Sequence, residues 1–190
     1  MELMIVIAII AVLAALAFPA INGALDRAKK VQAKNDLMQT IAAVNAFYTE
    51  YGRYPVLSTI GANGTYDTTN NDQLFNVLRG TSNAGEQLSL NPRKIAFMNP
   101  PVAKDPNQPK SGLGQNDGKY YDPWGTPYQI RLDTAYANWV QTDPPYRNAP
   151  SWGGVNTGAL GWSYGKDKQL GARGNADAKV AGFDDVLSWQ

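Results

Sequence analysis

From Leu3 to Phe18 the chain holds sixteen consecutive residues without a polar or charged side chain, and it then passes straight into an amphipathic helical pattern. Sixteen residues at a helical rise of ~1.5 Å reach ~24 Å, short of a ~30 Å hydrocarbon core. Apolarity all round the helix argues against a core helix of an ordinary soluble domain. Ala15-Leu16-Ala17 resembles a small-residue cleavage site of a secretory signal, but Glu2 is the only charge at the start, where a signal carries basic residues. A membrane or filament-core helix is the reading these residues favour.

No turn signal separates this run from the amphipathic segment after it. Ile21, Leu25, Ala28, Val31, Met38, Ile41, Val44, Phe47 and Tyr51 recur mostly at three- and four-residue spacing and predict the buried stripe of a helix. Asp26, Arg27, Lys29, Lys30, Lys34, Asp36 and Glu50 are expected mainly on the opposite face. Pro19 is expected to kink the helix without ending it, because the periodicity resumes at once. Gly52, with Pro55 beyond it, is the stop. About 50 residues of helix span ~75 Å, far more than a head of this size can cover. Only the second half has a domain to pack on, so the first half needs lipid or other subunits.

The remainder predicts one small domain. The 190 residues suffice for a single core plus an accessory segment. The division expected is 1–22 as the apolar half of the helix and 23–190 as a globular head that includes its amphipathic half. A short helix is predicted from an N-cap at Asp72 through Arg79, closed by Gly80. Leu90 to Met98 reads as a further short helix or strand, and Pro100 to Lys119 as an irregular loop. Strands are predicted at Tyr128–Leu132, Trp139–Gln141 and Leu160–Tyr164, with a last one near Val186–Trp189 and a turn at Asp133-Thr134. The fold class is therefore α+β, a small antiparallel sheet laid on the back half of a long helix.

Composition excludes chemistry more than it suggests it. There is no Cys and no His, so thiol nucleophiles, thiolate metal sites and the usual neutral-pH base are all missing. Any bound metal would be a hard cation held by oxygen. A net charge of +1 gives no general pull toward nucleic acid, and none is expected as a partner. No paired-carboxylate, Ser-Lys or phosphate-loop signature is found, so an enzyme is not expected.

Three motifs carry a resemblance. Glu2-Leu3-Met4-Ile5-Val6-Ile7-Ala8-Ile9, followed by Phe18-Pro19, resembles the mature N-terminus of type IV pilins and type II secretion pseudopilins from its glutamate onward. Tyr121-Asp122-Pro123-Trp124-Gly125-Thr126-Pro127-Tyr128 is similar to the D-P-W-G-x-P-Y element of major pseudopilins. Trp162-Ser163-Tyr164-Gly165-Lys166-Asp167, with Asp184-Asp185-Val186-Leu187-Ser188-Trp189, resembles their C-terminal calcium loop. The stretches Gly61–Asn71, Pro100–Lys119, Asp143–Gly158 and Lys168–Phe183 look long beside a typical major pseudopilin.

The resemblance implies a pilin-like structural subunit, closest to the major pseudopilin of a type II secretion system. The alternatives it leaves are the major subunit of an extracellular type IV pilus and a pilin-anchored periplasmic binding protein. It implies a homo-oligomeric helical filament, reached from the bacterial inner membrane with the head in the periplasm. Minor pseudopilins or pilins, an inner-membrane assembly platform and a prepilin peptidase would be partners. Glu2 would neutralise a neighbouring subunit's N-terminal amine during assembly, and Pro19 would be the kink. A basic leader ending in Gly, then Phe-Thr-Leu or its relatives, is expected upstream of the glutamate. Asp122, Pro123, Trp124 and Gly125 would form a structural anchor, with the Trp124 ring set against the long helix. Calcium would be held by Asp167, Asp184 and Asp185 with the carbonyl of Tyr164 and one from near Gly182. Asp177 is a further candidate that the resemblance does not support.

Overall fold

The computed structural model describes residues 2–61, 64–142, 146, 153–171 and 183–189, without the side chains of Glu2 and of residues 14–20. The chain is α+β. Helix α1, Glu2–Tyr51, is 50 residues long and continues through Pro19. It stops where the Gly52 N–H donates to the Tyr48 carbonyl (2.8 Å). Among the described residues no helix is long and apolar enough to cross a membrane. In the first half, side chains from Leu3 to Leu13 are exposed all round, Leu3 at 74% and Met4 at 77%.

After a 3-10 turn at Ser58–Ile60 come β1 (Thr65–Tyr66), α2 (Asn71–Leu78), α3 (Gly85–Leu90), β2 (Gly112–Leu113), β3 (Tyr120–Tyr121), β4 (Gln129–Leu132), β5 (Ala159–Ser163) and β6 (Val186–Leu187). The main sheet runs β1-β4-β5-β6, with every neighbour antiparallel, and β2-β3 forms a separate antiparallel pair. Gln129 lies opposite Trp162, and Trp162 in turn opposite Leu187.

Both faces of this sheet are covered, and the period-two alternation of β5 shows how. Ala159 belongs to the core beneath α1, with Leu37, Val44, Phe47, Phe75, Tyr128 and Ile130. Leu160 and Trp162 point the other way, into a second cluster with Val140, Tyr146 and Leu187, flanked by Phe183 and Trp189. Val140, Tyr146 and Val155, after Leu132, and Leu170 and Phe183, after Ser163, thus cover the outer face of the sheet. Arg131 belongs to that side too, its guanidinium 5.7 Å from the Trp162 ring centre.

The face by which α1 docks matches the predicted stripe only in its second half, where Val44 and Phe47 are buried and Ile41 and Tyr51 pack against the core. The buried residues are Ala33, Leu37, Thr40, Ala43, Val44 and Phe47. Ile21, Leu25, Val31 and Met38 face outward, Val31 at 70% exposure, and Ala28 is exposed as well. Ile21 and Leu25 precede the first contact with the head, at Asp26, and beyond it the approach of helix to sheet is close. A Cβ on Gly161 of β5 would lie 3.0 Å from Leu37 Cδ2, so only small or well-placed side chains fit between helix and sheet. Three charges expected on the far side face the head instead. Asp26 pairs with Lys166 (2.7 Å), Lys34 donates to the carbonyls of Leu187 (2.8 Å) and Ser188 (3.0 Å), and Asp36 accepts from Tyr128 Oη (2.9 Å).

Smaller elements also depart from expectation. The N-cap of α2 is Asn70, and Asp72 sits in the first turn. The helix near Leu90 ends there, so Asn91 to Met98 is neither helix nor strand. Asn91 shapes that segment, its amide donating to Val77 O (2.7 Å) and Ile95 O (2.8 Å). The loop predicted from Pro100 contains β2, and the strand predicted at Trp139–Gln141 is a single bridge from Val140 to Val155.

Candidate metal site

Two arms of chain meet at the end of the β5-β6 pair. Ser163 ends β5 and leads into Gly165-Lys166-Asp167, while Asp184-Asp185 leads into β6. The arms approach so closely at Gly165 that a Cβ there would stand 2.5 Å from the Asp184 carbonyl oxygen, and its φ is +68°. Both conditions call for glycine. Asp167, Asp184 and Asp185 are thereby brought together, each offering a carboxylate oxygen within 4.8 Å of the others.

The two carboxylates of the second arm are held alike. Asp184 Oδ2 accepts from the backbone N–H of Lys166 (2.6 Å) and Asp167 (3.1 Å). Asp185 Oδ2 accepts from the Gly171 N–H (2.8 Å) and from the Tyr146 hydroxyl. In each case Oδ1 is buried with no hydrogen-bond partner, and among the described residues neither carboxylate has an ion pair. Asp167 Oδ1 accepts from the Gln169 N–H (2.8 Å). Asp185 is only 6% exposed. Burial, joined by the charges of Asp184 and Asp167, pushes its carboxyl up to about 7, against the lowering effect of Tyr146 and Gly171. A buried anionic oxygen left without a donor is costly. Two of them beside a third carboxylate suit an oxygen-coordinated dication, which would supply the missing partner to both. Calcium fits this donor set better than zinc, which favours nitrogen and sulfur.

Tyr164 lies in the first arm, partly buried, and its phenol is raised chiefly by burial. Gly182 and Asp177 lie outside the described residues. Sequence reasoning does not single out Tyr146. It is fully buried, its phenol is driven far above the usual range by burial and by Asp185, and its ring packs edge-on against Trp162 (6.2 Å), Phe183 (5.8 Å) and Trp189 (6.0 Å). Nothing in its Pro-rich surroundings marks it out. Only the tertiary fold brings it to Asp185, 39 residues further along the chain.

The Asp122-Pro123-Trp124-Gly125 turn adjoins this site. Asp122 is fully buried, and its Oδ1 accepts from the N–H groups of Trp124 (2.9 Å) and Thr126 (2.8 Å). Gly125 (φ +90°) donates to the Asp122 carbonyl (3.1 Å). Asp122 Oδ2 accepts from Ser163 Oγ (2.6 Å), which accepts from the Gly165 N–H (3.1 Å). A hydrogen-bonded chain therefore runs from the turn to the first acidic arm. Trp124 lines a groove of roughly 300 Å³ with Asp26, Arg27 and Lys30 of α1 and with Lys166 and Asp184 of the acidic arms. The side chains of Glu2 and Pro19 lie outside the described ones.

Comparison with known proteins gave no match to a family model, a curated protein or a solved structure.

Proposed function

We propose that this chain is the structural subunit of a helical filament, of the kind formed by the major pseudopilin of type II secretion. The observation that carries the reading is the first half of α1: the described large apolar side chains from Leu3 to Leu13 are at least half exposed, and no part of the described chain lies over them. Exposure of that extent in water is unfavourable by roughly 25 cal/mol per Å² of apolar surface. Lipid covers it before assembly, and the equivalent helices of neighbouring copies cover it afterwards. The resemblance from Glu2 to Pro19 supports this second cover. In the filament the heads lie outside, and Glu2 pairs with a neighbour's N-terminal amine, relieving two charges in an apolar core.

The head carries calcium at Asp167, Asp184 and Asp185. When bound, the ion supplies charge that ties the two acidic arms. The chain's own groups orient the ligands, the Lys166 and Asp167 N–H groups on Asp184, and Tyr146 with the Gly171 N–H on Asp185.

Electron microscopy of sheared and periplasmic fractions from cells producing the protein with its assembly partners tests the filament reading. Short periplasmic filaments are expected for the wild type and none for Glu2→Ala. Long surface fibres would move the assignment to an extracellular pilus. A membrane protein that never polymerises, or filaments undiminished in Glu2→Ala, would overturn the subunit or the Glu2 role respectively.

A further inference from the structure

Among the described side chains of α1, Asp26 is the first that is not exposed. It therefore marks the point where the helix leaves the head. Its partner there is Lys166, whose ammonium lies 2.7 Å from Asp26 Oδ2. Lys166 has a second role, because its own backbone N–H holds Asp184 Oδ2 at 2.6 Å. One residue thus touches a candidate cation ligand with its main chain and the helix with its side chain. Two turns further along α1, Lys34 donates to the carbonyls of Leu187 and Ser188, which lie just beyond the Asp184-Asp185 arm. Each acidic arm is fastened to the same stretch of helix by one lysine.

We infer that occupancy of the cation site is coupled to docking of α1, with Lys166 and Lys34 as the positioning residues that carry the coupling. This rests on the calcium reading of the site. The physical argument concerns order. A solvent-accessible lysine–aspartate pair contributes little by itself, because the long lysine side chain must be immobilised to make it. Once a cation joins Asp167 to Asp184 and Asp185, the backbone at Lys166 and at Leu187-Ser188 is already fixed. The lysines then meet α1 with less entropy to lose, and the linkage is reciprocal. Without the cation the arms carry three neighbouring carboxylates, two with a buried, unpartnered oxygen, and have reason to separate. Separation withdraws Lys166 and opens the groove lined by Asp26, Lys30 and Trp124. A bound dication accordingly sets how firmly the free N-terminal arm is held to the head.

Hydrogen–deuterium exchange on the full chain in detergent micelles, with calcium chloride or with excess chelator, tests this. In the wild type, calcium should slow amides of 24–36 by about threefold, the scale of a weak ion pair, besides protecting 164–171 and 183–189. In Lys166→Met the two arms should keep their calcium protection while the helix loses part of its own. Lys34→Met with Lys166→Met should lose it altogether. Protection of the arms with helix exchange unchanged by calcium would overturn the coupling and leave the metal site standing. Equal helix protection in Lys166→Met and wild type would remove Lys166 from it. Calcium that neither binds by calorimetry nor protects any segment would overturn the site and the coupling together.

Discussion

Asp122 has no solvent access, yet both its carboxylate oxygens have partners within the fold. Burial raises its carboxyl, while the Ser163 hydroxyl and the N–H groups of Thr126, Trp124 and Gly125 lower it again. Replacing it by Ala would strand the donors of Trp124, Thr126 and Ser163 in the interior. A loss of about 3 kcal/mol is expected from such unsatisfied groups. Asp122→Asn keeps an acceptor for the two N–H groups but turns a donor toward Ser163, so only the hydroxyl proton loses its acceptor and the cost should be about 1.5 kcal/mol. Urea midpoints of the two variants check this, and an Asn variant as unstable as Ala would show that the charge itself is needed. The Asp-Pro and Gly125 of this turn were legible because turn chemistry is local. Its bond to Ser163, 41 residues away, was not, and neither was Tyr146 on Asp185. Side-chain pairs of that separation leave no periodic trace.

At the scale of elements the long helix was the easiest to read and its docking face the hardest. Periodicity placed Val44 and Phe47 on the buried face correctly, but it put Ile21, Leu25, Val31 and Met38 there too, and the fold leaves those four outside. What decided the matter is the head: Gly161 and the Tyr128 hydroxyl await a close-packed face carrying Leu37 and Asp36. Strands β1, β2 and β3 have two residues each, too few for alternation to register. Asp36 gives this interface a pH dependence. Burial raises its carboxyl, opposed by hydrogen bonding from Tyr128 and Tyr120. With the folded-state value above the unfolded ~3.9, the folded state holds the proton more tightly. The stabilisation that this proton confers is complete below the unfolded value and is lost as pH rises through the folded one. Asp36→Asn retains an acceptor for Tyr128 and removes the titration. Relative to wild type, its stability should therefore climb as pH rises from the unfolded value through the folded one. Urea unfolding of both proteins across that range, in chelator, measures the difference, within which every other titrating group cancels. A relative stability that falls with rising pH would mean the carboxylate is favoured in place.

Among the described residues the sheet is two-sided, its inner face packed beneath α1 and its outer face covered by a smaller cluster that includes Val140, Tyr146, Val155, Leu170 and Phe183. The inner core gathers many side chains, but the outer cluster is smaller, with Tyr146 packed on Trp162, Phe183 and Trp189 and bonded to Asp185 of the second acidic arm. Calcium would act at that smaller cluster. At a free concentration ~100 times the dissociation constant it adds about 2.7 kcal/mol to a site present only in the folded state. For a head of this size that corresponds to a melting temperature higher by ~5–11 °C. Asp185→Asn separates the ion's contribution from the residue's own. The amide still accepts from Tyr146 and Gly171, and it relieves the burial that lifts the Asp185 carboxyl to about 7. In chelator at pH 7.5 the variant should melt no lower than wild type, while calcium should raise wild type alone. Near-UV circular dichroism of the full chain in detergent tracks the tryptophans of the outer cluster through both transitions. A variant that melts several degrees lower in chelator would make Asp185 a structural residue first. A variant that keeps the whole calcium increment would place the ion elsewhere.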